Sequence, residues 1–266
     1  MTDQDPNPSA GRSRGIPRIA VLTGAGISVD SGVPTLDEEV VRQLLGLDPL
    51  ELAGVSGWEE LASLSGWEAH PERVWAWYVW LHHMLTYIEP NDAHRAIAAW
   101  QEIAEVTVIT QNLDDLHERA GSRRVLYLHG NISEFRCGEC GSPYRGPIPD
   151  MADPRLEMAP PGCACGGMIR PGVIWFGENL PEETWQMAVE AVRAAELLVV
   201  VGTSGTVYPA ASLPELALTA GTRVVEVNPE PTPLSPLISE TFRESASEAL
   251  PELLHRLNFG VWAKGD

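Results

Sequence analysis

The chain is short of positive charge. Its 18 lysine and arginine residues stand against 37 aspartates and glutamates, for a formal net charge of −19. A surface of that sign repels nucleic acid and anionic membranes, so neither is expected as a partner, while a lysine-rich peptide would be tolerated. Long apolar runs are missing too: none approaches the roughly 20 residues of a membrane-spanning helix, and the stretch from Met1 to Pro17 lacks the apolar core of a secretion signal. Cysteine is limited to four residues. With no export signal, they point to a reducing, cytoplasmic setting and to metal binding in preference to disulfides. Internal repeats are absent. Residues 1–16, dominated by Asp, Asn, Pro, Ser, Gly and Arg, read as a disordered tail, and 258–266 as a short C-terminal tail. The remainder, 17–257, suits one large domain carrying a smaller module.

What is present alternates. Ile19–Thr23, Val106–Thr110, Glu196–Gly202 and Arg223–Asn228 are apolar, β-prone runs ending in small or polar residues. Helical stretches over Pro71–Tyr87, Ala93–Glu105, Pro181–Ala195 and Leu213–Ala220 lie between them. Strands alternating with helices predict an α/β fold with a parallel sheet covered on both faces, where ligands sit beyond the carboxyl ends of the strands. The segment from Cys137 to Cys165 breaks the rhythm: it is rich in Pro and Gly and reads as an insert held by metal.

Three strand ends carry small polar groups: Gly24-Ala25-Gly26 with Ile27, Gly202-Thr203-Ser204, and Asn228-Pro229-Glu230. Glycines there can bring backbone N–H groups to a pyrophosphate, although they also serve simple turns. Together the three ends favour a dinucleotide, and the lack of a G-x-G-x-x-G fingerprint excludes an ordinary dehydrogenase. Gln111, Asn112 and Asp114 follow a further strand and can hydrogen-bond a polar ligand, and nearby His129 can exchange protons near neutral pH. Cys137 and Cys140, a 22-residue spacer, then Cys163 and Cys165 form two pairs suited to tetrahedral zinc. Four thiolates close the coordination sphere, so the metal is expected to be structural. On the helix from Pro71, residues Val74, Tyr78, Leu81 and Leu85 share one face.

Taken in order, these motifs resemble the sirtuins, the NAD-dependent protein-lysine deacylases. The likeness rests on Gly24–Ser28, Ser31-Gly-Val-Pro34, Thr110–His117, His129-Gly130, the cysteine quartet, Arg170–Glu178, Gly202–Ser204 and Asn228–Glu230, and it spans about 17–257. The resemblance implies a Rossmann-like sheet domain with a zinc-ribbon insert and an acyl-lysine tunnel between them. It implies that NAD is held by Gly24, Ala25, Gly26, Ile27, Gln111, Gly202, Thr203, Ser204, Asn228 and Glu230, with Ala246 near the adenine. Asp114 would meet the nicotinamide carboxamide and Asn112 the ribose. The acyl oxygen would attack the ribose carbon that nicotinamide leaves, and His129 would act as general base on a ribose hydroxyl. Free lysine, nicotinamide and O-acyl-ADP-ribose would result. Val173, Trp175 and Phe176 would line the peptide and acyl-lysine channel, with Tyr78 and Leu81 at the acyl group.

Two departures shape the expectation. Where the family has Phe-Arg after Ser-Gly-Val-Pro-Thr, this chain has Leu36 and Asp37, an anion in place of a cation beside the phosphates. The loop Glu38–Gly46 that follows looks helical. The chain is most similar to the subclass that removes succinyl and malonyl groups with a Tyr and an Arg three positions apart. Here Tyr78 is kept but Leu81 stands at the arginine position, which leaves an acyl carboxylate unpaired. The expected activity is therefore removal of acetyl or another uncharged acyl group from a lysine of a peptide or protein. Two alternatives follow from the altered loop: NAD hydrolysis or ADP-ribosyl transfer, and a weakened homologue that senses NAD or holds a partner.

Overall fold

The computed structural model describes residues 16–33, 58–153 and 155–257. The tails at 1–15 and 258–266, Leu36, Asp37 and the loop Glu38–Gly46 lie outside the described residues.

Eight strands are formed: β1 (Arg18–Thr23), β2 (Glu105–Thr110), β3 (Val125–Tyr127), β4 (Gly130–Cys137), β5 (Ile169–Val173), β6 (Leu197–Val201), β7 (Arg223–Val227) and β8 (Glu240–Phe242). The helices are α1 (Trp58–Leu61), α2 (Leu64–Ala69), α3 (Pro71–Thr86), α4 (Asp92–Trp100), α5 (Leu116–Arg119), α6 (Glu182–Ala194), α7 (Leu213–Thr219) and α8 (Ala246–Arg256). Six strands make one parallel sheet in the order β3-β2-β1-β6-β7-β8. The chain winds outward in both directions from the β1–β6 pair, which puts the topological switch point there.

Strand alternation explains the two cores. Ile19, Val21, Val106, Val108, Val199, Val225 and Val227 point to one face, against Ile97 and Trp100 of α4 and Ala249, Leu250 and Leu253 of α8. Ala20, Leu22, Ile109, Leu198, Val200 and Val224 point to the other, against Ala188 and Val192 of α6 and Leu213 and Ala217 of α7. Every strand of this sheet with long apolar side chains is thus covered on both sides, which is why those strands read as continuous hydrophobic runs.

Three details differ from the sequence reading. The helix expected over Ala93–Glu105 stops at Trp100, because Glu105 pairs with Arg18 as the first residue of β2. Strand β8 and helix α8 were not foreseen. Helix α8 opens with a capping box, in which Ser245 Oγ accepts from Glu248 N and the Glu248 carboxylate accepts from Ser245 N.

The insert has its own core as well as its cysteines. Strands β4 and β5 pair antiparallel, and α3 packs on them through Trp75, Phe135, Ile132, Ile169 and Trp175. Trp75 and Phe135 meet edge to face at 5.5 Å between ring centres.

At the switch point the loops after β1 and β6 touch backbone to backbone. Gly24 N donates to Val201 O at 3.0 Å and Gly26 N to Gly202 O at 2.8 Å. A Cβ on Gly26 would lie 2.6 Å from Gly202 Cα, and one on Gly202 would lie 2.5 Å from Ile27 N, at a φ of +59° that side chains avoid. Gly26→Ala is therefore expected to cost about 2 kcal/mol of folding stability, measured by urea unfolding. A loss within about 0.5 kcal/mol, the usual scatter for an uninvolved surface site, would show that the two loops separate readily.

Candidate active site

Beyond the carboxyl edge of the sheet, buried polar groups are chained together. Ser28 Oγ donates to Asp114 Oδ2 at 3.0 Å, and Asn112 Nδ2 donates to Ser28 Oγ at 3.2 Å. Leu116 N donates to the other Asp114 oxygen at 3.2 Å. Asp114 is 3% exposed. Burial pushes its carboxyl up to about 6, against the pull of the Leu116 and Ser28 hydrogen bonds. Asn112 is also buried, with its own N–H on Thr110 Oγ1 at 3.0 Å. Gln111 Nε2 reaches across to Thr203 Oγ1 at 3.0 Å, and Asn228 Nδ2 donates to Thr203 O at 2.9 Å. The ends of β1, β2, β6 and β7 are thereby joined. Ser204 and Glu230 lie exposed at the rim of this edge.

His129 sits just past β3. Its Nδ1 lies 3.0 Å from the Gln111 carbonyl oxygen. A carbonyl can only accept, so Nδ1 carries the hydrogen and Nε2 keeps a free lone pair. Burial lowers the pKa of this imidazole, while the Gln111 carbonyl raises it; the ring is held as a neutral base. Ile174 N donates to His129 O at 2.8 Å, which ties the histidine to the strand that leaves β5.

A cleft of about 480 Å³ opens here, lined among others by Tyr78, Leu81, Gln111, His129, Trp175 and Phe176. Four of the five residues expected at the substrate therefore share one cavity with the candidate base. Val173 does not: it is 1% exposed and packs into the aromatic core. Strand alternation turns the next residue, Ile174, to the cleft instead. Leu113, Trp185, Val207 and Tyr208 complete the walls, and the sequence reading had passed over them.

Two features bear on the residues expected at the cofactor. The N–H groups of Gly24, Gly26, Ile27 and Ser28 all donate to backbone carbonyls. The glycines are there because β6 packs against them. Ala246 is 5% exposed and lies in the core under the sheet. Ser28, in contrast, was quoted in a motif but given no role, and it is the hub of the Asp114–Asn112 chain.

Behind the site two imidazoles, His94 and His117, meet edge to face with ring centres 4.9 Å apart. Both are fully buried. His117 Nε2 meets Thr23 Oγ1 at 3.1 Å, and His94 is held by Asn91, whose Nδ2 donates to Ile27 O at 2.8 Å. Burial lowers both pKa values, that of His94 to about 4.

The sulfurs of Cys137, Cys140, Cys163 and Cys165 all lie within 4.8 Å of one another and none is disulfide-bonded. Cys137 and Cys165 are 3.5 Å apart, and Cys140 and Cys163 3.8 Å. Four thiolates at about 2.3 Å from a tetrahedral zinc stand about 3.8 Å from each other, so the donor set fits that ion. Glu139 N points at Cys137 Sγ from 3.4 Å, a donor that supports a thiolate.

A doubly wound parallel sheet with amide, hydroxyl and carboxylate groups gathered at its carboxyl edge, joined to a four-thiolate module, defines a dinucleotide-binding α/β protein with a structural metal site. The chain belongs to the Sir2 family, whose model matches residues 24–209. It is 58% identical over 240 residues to a protein of Mycobacterium tuberculosis named NAD-dependent protein deacylase, covering 90% of this chain and 98% of that one. A Corynebacterium glutamicum protein of the same name is 42% identical, with 90% and 91% covered. Among solved structures, a Sir2 homologue in complex with ADP-ribose superposes with a TM-score of 0.79 at 36% identity, covering 94% of this chain and 95% of that chain. A Sir2 homologue–NAD complex gives 0.76 at 37%, with 91% and 89% covered. Sir2Tm bound to a propionylated peptide gives 0.72 at 29%, with 91% and 94% covered. The expected family and fold are borne out.

Elemental analysis is expected to find one zinc per chain, and Cys163→Ser to lose the metal and lower the melting temperature. Metal-free protein with an unchanged melting temperature would remove the structural role. The imidazole pair sets a pH dependence. Both rings are neutral in the fold and take up protons near pH 6.5 once unfolded, so stability is intact above that pH and falls below it. Asp114 opposes this, since its raised pKa makes the fold bind a proton first, but one carboxyl offsets only one of two rings. Between pH 7.5 and 5.5 the loss of unfolding free energy should be about 1 kcal/mol smaller in His94→Gln than in wild type. Parallel losses in the two proteins would mean that His94 titrates normally.

Proposed function

We propose that the protein is an NAD-dependent deacylase that removes an uncharged acyl group from lysine side chains of peptides or proteins. The observation that carries this reading is the placement of His129, with its tautomer fixed by the Gln111 carbonyl, in one cavity with Tyr78, Leu81, Trp175 and Phe176. Bound NAD supplies an electrophilic ribose carbon and a nicotinamide leaving group. The residues suited to hold it are Asn112 and Asp114 at the nicotinamide end and Thr203, Ser204, Asn228 and Glu230 toward the other. Asp114, ionised above about pH 6, offers its carboxylate to amide donors in a setting where burial strengthens such a bond. Nε2 of His129 takes the proton of a substrate hydroxyl as that oxygen attacks. Gln111, bridged to Thr203, fixes both the histidine and the β6 end.

The acyl preference follows from what lines the cleft. Among the described residues no lysine or arginine lines it, and its one carboxylate, Glu178, is held by Arg170 through two bonds of 2.7 Å. A succinyl carboxylate would enter with no cation to meet it. Zinc-bound thiolates suit a reducing compartment, and we place the protein in the cytoplasm. No helix among the described residues is long and apolar enough to cross a membrane.

Mass spectrometry of the protein incubated with NAD and an acetyl-lysine peptide should show deacylated peptide, nicotinamide and O-acyl-ADP-ribose in equal amounts. His129→Ala should lower kcat by roughly 10²–10⁴-fold while leaving NAD affinity within a few-fold. Full deacylation by that variant would remove His129 as the base; release of nicotinamide without deacylation in wild type would replace the reading by NAD hydrolysis.

A further inference from the structure

The loop that leaves β7 is folded around a buried carboxylate. Glu226 lies inside β7 and is 1% exposed. Strand alternation turns Val225 and Val227 to the α4–α8 face of the sheet, and Glu226, with Val224, to the other. Its partners all come from further along the chain. Thr232 Oγ1 and Ser235 Oγ both donate to it, the second at 2.6 Å, and Arg243 Nη1 lies 2.9 Å from its Oε2. The same guanidinium donates to Asn228 O at 3.0 Å, Glu230 O at 3.2 Å and Ser235 Oγ at 2.8 Å. Arg243 itself arrives from an anchored strand, since Arg223 Nε donates to Glu240, the first residue of β8, at 2.7 Å.

A buried ion pair is a poor way to stabilise a sheet, because apolar residues of similar volume often do as well or better. What this pair supplies is shape. The segment from Asn228 to Leu234 forms neither helix nor strand, so its course depends on the bonds that pin it. Asn228 is fixed at three points. Its N–H donates to Phe242 O at 3.0 Å, its carbonyl accepts from Arg243, and its Nδ2 donates to Thr203 O at 2.9 Å. Thr203 in turn receives Gln111. A run of contacts thus leads from Glu226 to the polar edge of the sheet, with Glu230 exposed at the rim of the same loop. Neither Glu226 nor Arg243 lines the cleft that holds His129.

We infer that Glu226 and Arg243 are a positioning pair for the cofactor: without touching it, they hold Asn228 and Glu230 in the shape that receives the half of NAD remote from nicotinamide. The inference rests on the deacylase reading above, which puts Asn228 and Glu230 at that end. Because the pair acts on one end of the cofactor and stands apart from the cleft, it sets cofactor affinity and leaves peptide binding and proton transfer alone.

The test compares wild type, Glu226→Gln, Arg243→Met and the double variant, each as the zinc-loaded full chain. Calorimetric titration gives the affinities for NAD and for ADP-ribose, and mass spectrometry follows deacylation of an acetyl-lysine peptide. Glu226→Gln keeps the shape of the side chain and removes its charge. Arg243→Met changes a side chain that is only partly buried and covers the case that the buried variant does not fold. Each single variant should weaken NAD and ADP-ribose by the same factor, about 10-fold, with the KM for NAD rising in step. The kcat at saturating NAD and the KM for the peptide should stay within about 2-fold, a split that a general loosening of the fold would not give. The double variant should bind NAD no worse than either single one, since the two residues act as a unit. Unchanged NAD affinity in either folded single variant, a smaller loss for ADP-ribose than for NAD, additive losses in the double variant, or a fall in kcat at constant KM for NAD overturns the inference. The expected affinity pattern in a protein that does not deacylate would keep the pair and sink the deacylase reading; deacylation with affinities that the variants do not move would do the reverse.

Discussion

The contact between the loops after β1 and β6 is the constraint on which the site depends. Gly24 and Gly26 donate to the carbonyls of Val201 and Gly202 at distances that no side chain could share. That closeness fixes the short turn from Gly24 to Ser28, and Ser28 is what Asp114 and Asn112 lean on. Moving the β1 loop by the width of a methyl group would therefore loosen a carboxylate and an amide on a different strand. The glycines act through packing. Their amides are already committed to backbone carbonyls.

The network behind that loop is buried and nearly without charge. His94 and His117 are neutral by burial, and Asp114 alone keeps a charge that its surroundings disfavour. An unpaired carboxylate in such a place is costly to fold around. Two donors lessen the cost, and a ligand amide brought to the same oxygens would lessen it further. Strain of this kind, an acceptor that the fold under-supplies, marks a site kept for a ligand more convincingly than the presence of polar residues does.

The sheet was legible because buried parallel strands are hydrophobic on both faces, and Ile19–Leu22 and Leu197–Val201 contain nothing else. Strand β8 is three residues long, too short to show a pattern. Helix α8 was missed although Ser245-Ala-Ser-Glu248 is a readable capping box; Pro251 inside the helix hides its period. The grouping of Gln111, Thr203, His129, Tyr78 and Trp175 was reached through motif order, and geometry brought these residues together. Val173 failed for a different reason. A motif names a run of residues, whereas a strand sends alternate ones to opposite sides, and only Ile174 and not Val173 could reach the cleft. The cysteines needed no fold at all, since two pairs of thiols with none left over already describe a closed coordination sphere.

The cysteine module and the Tyr78 side of the cleft are one mechanical unit. Cys137 pairs with Ile169 across the β4–β5 ladder, and Arg136 with Arg170. A metal that fixes Cys137 therefore sets the register that presents Arg170. Arg170 grips Glu178 and covers Trp175, and Trp175 holds the Tyr78 hydroxyl. The cysteine cluster is thus linked to the Tyr78 side of the cleft through this run of side chains and one strand pairing. His129 is anchored separately, through Gln111 and the sheet. Tyr78 and His129 are in this way held by different lobes of the same cleft, joined at the bond from Ile174 to His129.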